Sequence, residues 1–134
     1  MNLLDFIRKA TEPTGVPFKD LGRDWSGWNC WGLIGVAYRE LKDLELPDFN
    51  RLAALQYREA EPEFAAFRES FRKVSPGRAE PVDIILFRGE PCHVGLVVKK
   101  GLMLHVEKGI ATCVEPYDAG VWPHRLLGVY RHAG

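Results

Sequence analysis

The sequence predicts an α+β fold, with helices first and a meandering antiparallel sheet after them. Three observations predict it. Apolar residues recur at helical spacing in the first half. A turn cluster, Ser75-Pro76-Gly77-Arg78, marks a change of pattern. Beyond it come five short β-branched and apolar runs, separated by Gly, Pro or charged turns.

Residues 2–10 (NLLDFIRKA) predict a short amphipathic helix with Leu3, Leu4, Phe6 and Ile7 as its apolar stripe. The stretch from Thr11 to Asn29 carries Pro13, Gly15, Pro17, Gly22 and Gly27 and is expected to turn repeatedly. A helix from Cys30 to Asp43 follows, with Leu33, Ile34, Val36, Ala37 and Leu41 at helical spacing and Asn29 as its N-cap. Residues 50–73, rich in Arg and Glu and interrupted at Pro62, predict one or two surface helices with a solvated face. The strands expected after the turn cluster are Val82–Phe87, His93–Lys99, Leu102–Glu107, Ile110–Glu115 and Leu126–Tyr130.

At 134 residues the chain is expected to form a single domain, 1–134. Eighteen Lys and Arg balance eighteen Asp and Glu, so no basic excess exists to displace counterions from a nucleic acid. The first fifteen residues lack a basic segment followed by an apolar run, so no signal peptide is expected and synthesis is placed in the cytoplasm. No window approaches the about 18–20 consecutive apolar residues of a membrane span, so no membrane partner is expected. The three cysteines, Cys30, Cys92 and Cys113, are an odd number and include no Cys-x-x-Cys pair. Neither a disulfide framework nor a metal or other cofactor is expected.

Cys30 lies where a glycine-rich loop meets the start of an apolar helix. A thiol there sees the positive end of the helix dipole and several unpaired N–H groups. Both favour the thiolate and can receive an oxyanion. Alone, such a cysteine is more often a buried apolar residue. The histidines change the balance. Alternation puts His93, Gly95 and Val97 on one face of their strand. A three-residue loop, Lys99-Lys100-Gly101, pairs Val98 with Leu102 and Gly95 with His105, which makes His93 the diagonal neighbour of His105. A two-residue loop would put the two histidines on opposite faces. Gly95 is expected to leave open space beside His93. Cys at a helix start with two histidines on one sheet face forms a nucleophile, base and orienter set.

Asn29-Cys30-Trp31-Gly32-Leu33, Pro81-Val82-Asp83-Ile84-Ile85-Leu86-Phe87, His93-Val94-Gly95-Leu96 and Leu104-His105 resemble the motifs of the NlpC-type cysteine peptidases, across roughly residues 13–131. The resemblance implies a papain-like fold, helices packed on the sheet, with Cys30 as nucleophile, His93 as base and His105 orienting it. It implies hydrolysis of amide bonds in peptidoglycan stem peptides, commonly after a γ-linked D-glutamyl residue. The segment from Trp122 to Arg131 and the Cys-Trp pair resemble the subset found in phage and prophage tail-tip proteins, which would place the protein in the virion tail with tail-tip proteins as partners. Two positions depart from the family. Asn29 replaces an Asp, and Val82 replaces a Gly, so the turn before Asp83 is expected not to need a positive φ. The family often binds substrate through an upstream tyrosine, and the nearest aromatics here are Phe18, Trp25 and Trp28.

Cys92 alternates to the face opposite His93 and is expected to be structural, as is Cys113. Trp31 and Trp122 are as well suited to the core as to a groove. No role is assigned to His124 or His132. Two rival functions remain: a tail assembly protein with this fold and little catalysis, and a papain-like amidase or acyltransferase acting on a small molecule or lipid. A depressed Cys30 pKa is also expected, and with it rapid alkylation of Cys30 at mildly acidic pH.

Overall fold

The computed structural model describes residues 1–47, 65–89 and 92–133. Helix α1 (Leu3–Thr11) is capped by the Asn2 side chain, which accepts from the Asp5 N–H, and buries Phe6 and Ala10. Leu4, assigned to the apolar stripe, is instead 55% exposed. Two short strands, β1 (Arg23–Asp24) and β2 (Gly27–Trp28), form a hairpin in the turn-rich stretch. Helix α2 (Cys30–Lys42) starts at Cys30, as its N-cap predicted, and ends on Asp43 in the left-handed conformation. The expected helices over 50–73 lie largely outside the described residues. Within them, Ala65–Ser70 is a helix (α3), but Phe71–Val74 is a strand (β3). Its pairing with the last strand, a long-range contact that local charge pattern does not encode, overrides helical propensity there.

The remaining strands follow the sequence closely: β4 (Ile84–Phe87), β5 (His93–Lys99), β6 (Leu102–Glu107), β7 (Ile110–Pro116) and β8 (Leu126–His132). A short helix, α4 (Trp122–Arg125), leads into β8. The six-stranded sheet has the order β3-β8-β4-β5-β6-β7, with antiparallel pairs throughout.

Both faces of the sheet are covered. On one, Ile84, Leu86, Val94, Leu96, Leu104, Val106 and Tyr130 share a core with Leu33 and Ile34 of α2. Leu33 and Ile34 are fully buried, which stabilises the fold by about 1.5–3 kcal/mol each. On the other face, Ile85, Phe87, Val97, Met103, Val129 and Trp122 form a second cluster. Strand alternation assigns His93 and His105 to this second face.

The β5–β6 hairpin differs from expectation in a way that preserves its consequence. Lys99 pairs with Leu102, leaving only Lys100 and Gly101 as the loop, with Gly101 at φ +93°. A two-residue loop alone would separate the histidines. A bulge between Val97 and Lys99 inserts one residue and restores Val97–Met103 and Leu96–Leu104 pairing. His93 and His105 therefore remain on one face. The space expected beside Gly95 is filled: a Cβ there would lie 2.8 Å from the Met103 sulfur.

The turn before Asp83 also corrects an expectation. Val82 has φ +74°, although it is β-branched. Tertiary hydrogen bonds hold it there. Its N–H donates to the Val97 carbonyl at 2.8 Å, and its carbonyl accepts from the Tyr38 hydroxyl at 2.5 Å. Next to it, buried Asp83 accepts two hydrogen bonds from Arg131, each 2.9 Å, and one from the Glu80 N–H at 2.8 Å. A Cβ at positive φ costs about 1–2 kcal/mol. Val82→Gly is therefore expected to be more stable than Val82→Ala by about 1 kcal/mol in urea unfolding. Both variants lose the side chain, so the comparison isolates the backbone. An Ala variant equal to or above Gly would show that this residue does not carry the strain.

Candidate active site

The start of α2 is built by a close approach of backbones. A Cβ on Gly32 would lie 2.0 Å from the Gly22 carbonyl oxygen, so only glycine fits two positions after Cys30. The Asn29 Oδ1 accepts from the Gly32 N–H at 2.8 Å and from the Arg23 guanidinium at 2.7 Å. Cap and loop together fix the first turn of the helix and the position of Cys30, whose side chain is 8% exposed. The backbone N–H groups of Val94, Trp31 and Cys30 serve the sulfur. Val94 follows His93 in β5, so the sulfur lies at the start of that strand, on the cleft that His93 also lines. The helix packs on the opposite sheet face from the histidines, and the site forms where the strand ends rather than across one face. Cys30 and His93 line a cleft with Phe18, Asp20, Glu107 and Arg125. Cys92 is buried and lines the same cleft.

Behind His93 runs a chain of hydrogen bonds. His93 Nε2 lies 2.9 Å from His105 Nδ1, and His105 Nε2 lies 2.6 Å from Glu115 Oε2. The other carboxylate oxygen of Glu115 accepts from the Trp122 indole N–H at 3.0 Å. Trp122 stacks on His93 with ring centroids 5.3 Å apart and meets His105 edge-on at 5.4 Å. Phe87 backs Trp122 at 4.7 Å. Both histidines are thus held in plane and position by aromatic packing as well as by hydrogen bonds.

The electrostatics reverse one sequence expectation. Burial pushes the Cys30 thiol up to about 11, against the pull of the Val94, Trp31 and Cys30 N–H groups and the Arg23 charge. Desolvation, then the neighbouring His105 and Arg125, press His93 down to about 3. The resting pair is a neutral thiol beside a neutral imidazole, because a closed site disfavours both ions. The helix N-terminus does favour the thiolate, but the loss of water outweighs it. Glu115 is held below its ordinary value, first by the Trp122 hydrogen bond and then, against the opposing effect of burial, by the hydrogen bond to His105, so it is a carboxylate at neutral pH.

The structure brings Cys30, His93 and His105 together and places Phe18 at the cleft. Trp28 is fully buried, with its indole N–H on the Thr112 hydroxyl at 2.8 Å. Trp25 packs on Phe6 and Trp28 under the Lys9 ammonium, away from the cleft. Sequence reasoning missed Glu115, and it weighed Trp122 only as core or groove, not as a partner of Glu115 and the histidines. No local signal marked Glu115: the two-residue Lys108-Gly109 loop alone would align His105 with Thr112, and a bulge in the pairing between His105 and Glu107 shifts the register so that Cys113 faces His105 and Glu115 shares its face. Two donor groups, His93/His105/Glu107 and His105/Cys113/Glu115, have atoms close enough to share a metal ion. Both depend on His105, whose two nitrogens are already engaged. Among the described residues, no helix is long and apolar enough to cross a membrane.

Comparison with solved structures shows the same fold. An NLP/P60 family protein from Staphylococcus aureus, described as similar to a lipoprotein, aligns with TM-score 0.69 at 19% identity; the match covers 96% of this chain and 39% of that one. The NlpC/p60 domain of the peptidoglycan hydrolase SagA aligns with TM-score 0.60 at 20% identity over 98% of this chain and 99% of that one. RipD from Mycobacterium tuberculosis, described as non-catalytic and adapted to peptidoglycan binding, aligns with TM-score 0.64 at 23% identity, covering 96% and 95%. A search of curated proteins finds no match. The NlpC/P60 family model matches residues 15–131, nearly the whole chain. With that match and this fold, the chain belongs to the NlpC/P60 family.

Proposed function

We propose that the protein is a cysteine peptidase that hydrolyses amide bonds in peptidoglycan stem peptides, with residues 1–134 acting as one domain. The observation that carries this reading is the placement of Cys30 and His93 in one cleft, with His105 bonded behind His93. The Cys30 sulfur attacks the amide carbonyl as its proton passes to His93, and a bond forms between sulfur and carbon. N–H groups at the start of α2 receive the oxyanion. The imidazolium of His93 then donates its proton to the leaving amine, and the C–N bond breaks. Water, deprotonated by His93, attacks the thioester carbon; the C–S bond breaks, the acid leaves, and His93 returns its proton to the Cys30 sulfur. No cofactor is required.

The finer reading is a γ-D-glutamyl-linked bond and a place in a phage or prophage tail. It is supported by the motif resemblance and by the segment from Trp122 to Arg131. A second reading, peptidoglycan binding without cleavage, is favoured by the similarity to RipD. Incubation with purified peptidoglycan, followed by mass spectrometry of soluble fragments, tests both. New amine and carboxyl termini within stem peptides support the peptidase. Retention on peptidoglycan with no fragments released supports the binding reading. No effect on peptidoglycan, with turnover of a small amide or ester, would move the function to an amidase or acyltransferase.

A further inference from the structure

A histidine in the orienting position is chemically two-faced. Depending on its tautomer, its Nδ1 either accepts a hydrogen bond or donates one. If His105 Nδ1 accepts, His93 carries its proton on Nε2 and presents a bare Nδ1, able to take a proton. If His105 Nδ1 donates, His93 carries its proton on Nδ1 and cannot act as a base. The 2.9 Å contact between the two rings fits either direction. Something else must choose.

We propose that Glu115 is a positioning residue that sets the direction of the whole chain, and that Trp122 sets Glu115. This rests on the peptidase reading for its consequence in catalysis, but not for its geometry. A carboxylate only accepts, so His105 Nε2, 2.6 Å from Glu115 Oε2, must carry the proton. In the neutral imidazole, His105 Nδ1 is then a bare acceptor for His93 Nε2–H, and His93 Nδ1 is left unprotonated. The indole N–H of Trp122 only donates, and its 3.0 Å bond to Oε1 anchors the carboxylate against rotation. Glu115 itself is half open to solvent, with its side chain 43% exposed, so its charge is tolerated without a buried counterion.

The near-isosteric variant gives the sharpest test. In Glu115→Gln the side chain must serve two donors with one carbonyl oxygen. Trp122 cannot change its donor character, but His105 can change tautomer. The Gln oxygen therefore turns to Trp122, and its NH2 turns to His105 Nε2, which becomes the acceptor. The chain reverses, and the proton of His93 moves to Nδ1.

The experiment is nitrogen NMR of histidine-labelled full-length protein near neutral pH, read beside peptidoglycan hydrolysis. The wild type is expected to show bare Nδ1 atoms on His93 and His105. Glu115→Gln is expected to show both protonated at Nδ1, and Glu115→Ala a mixture. Hydrolysis by Glu115→Gln is expected to fall on the order of 100-fold in kcat with little change in KM, and below that of Glu115→Ala. A truncation that merely loosened the fold would give the opposite order. Adding Trp122→Phe to Glu115→Gln frees the amide to rotate and is expected to return part of the wild-type tautomer. Wild-type tautomers in Glu115→Gln would overturn the proposal. If the wild type hydrolyses nothing, the peptidase reading fails while the tautomers still decide this one.

Discussion

Cys30→Ala and His93→Ala are each expected to lower peptidoglycan hydrolysis by about 10⁴-fold or more, because nucleophile and base act as one unit. The double variant is expected to be no slower than the worse single one, since either loss already removes the covalent route. His105→Ala is expected to cost less, on the order of 100-fold, because it leaves both reacting groups in place and removes only the partner of His93 Nε2. The measurement is the initial rate of fragment release by mass spectrometry, with folding checked by thermal melting. Cys30→Ala should still bind peptidoglycan, because Cys30 is buried, with the residue 8% exposed, and offers little contact surface. Undiminished hydrolysis by Cys30→Ala would sink the peptidase reading. Binding by the wild type with no hydrolysis to lose would leave the RipD-like reading in its place.

What was legible in the sequence divides along physical lines. Local signals were clear. Asn29 before an apolar helix marked the start of α2, and alternation in β5 and β6 set the histidines. Features that depend on distant contacts were not. The strand Phe71–Val74 exists because β8 pairs with it. The positive φ of Val82 exists because Val97 and Tyr38 hold its backbone from both sides. The hairpin shows a third case: the loop length was misjudged, and a bulge compensated, so a correct conclusion followed from a wrong detail. Glu115 was not readable by the register argument that found His105, because the two-residue turn after Glu107 points it to the other face and only a bulge in the β6–β7 pairing returns it.

The reactivity of Cys30 is where sequence and structure disagree most, and alkylation decides between them. The helix N-terminus argued for a thiolate at mildly acidic pH. In the folded site, burial raises the thiol from 9.0 to about 11 and presses His93 down to about 3. A raised thiol pKa means that the reactive anion is scarce below about 11 and grows tenfold with each pH step towards it. At pH 7 the thiolate population is then about 100-fold smaller than in the unfolded chain. A more basic thiolate is also a better nucleophile, which returns about tenfold of that loss. Cys30 is therefore expected to react with iodoacetamide about tenfold more slowly in the folded protein than in urea at the same pH. Its rate should climb without a plateau between pH 6 and 9. Because His93 is neutral over that range, His93→Ala should leave the shape of the profile unchanged. Peptide mapping after brief labelling supplies the rates for each cysteine. Rapid labelling of Cys30 at pH 6 that His93→Ala abolishes would show that the attraction between thiolate and imidazolium outweighs burial, and that the proton has already moved before substrate arrives.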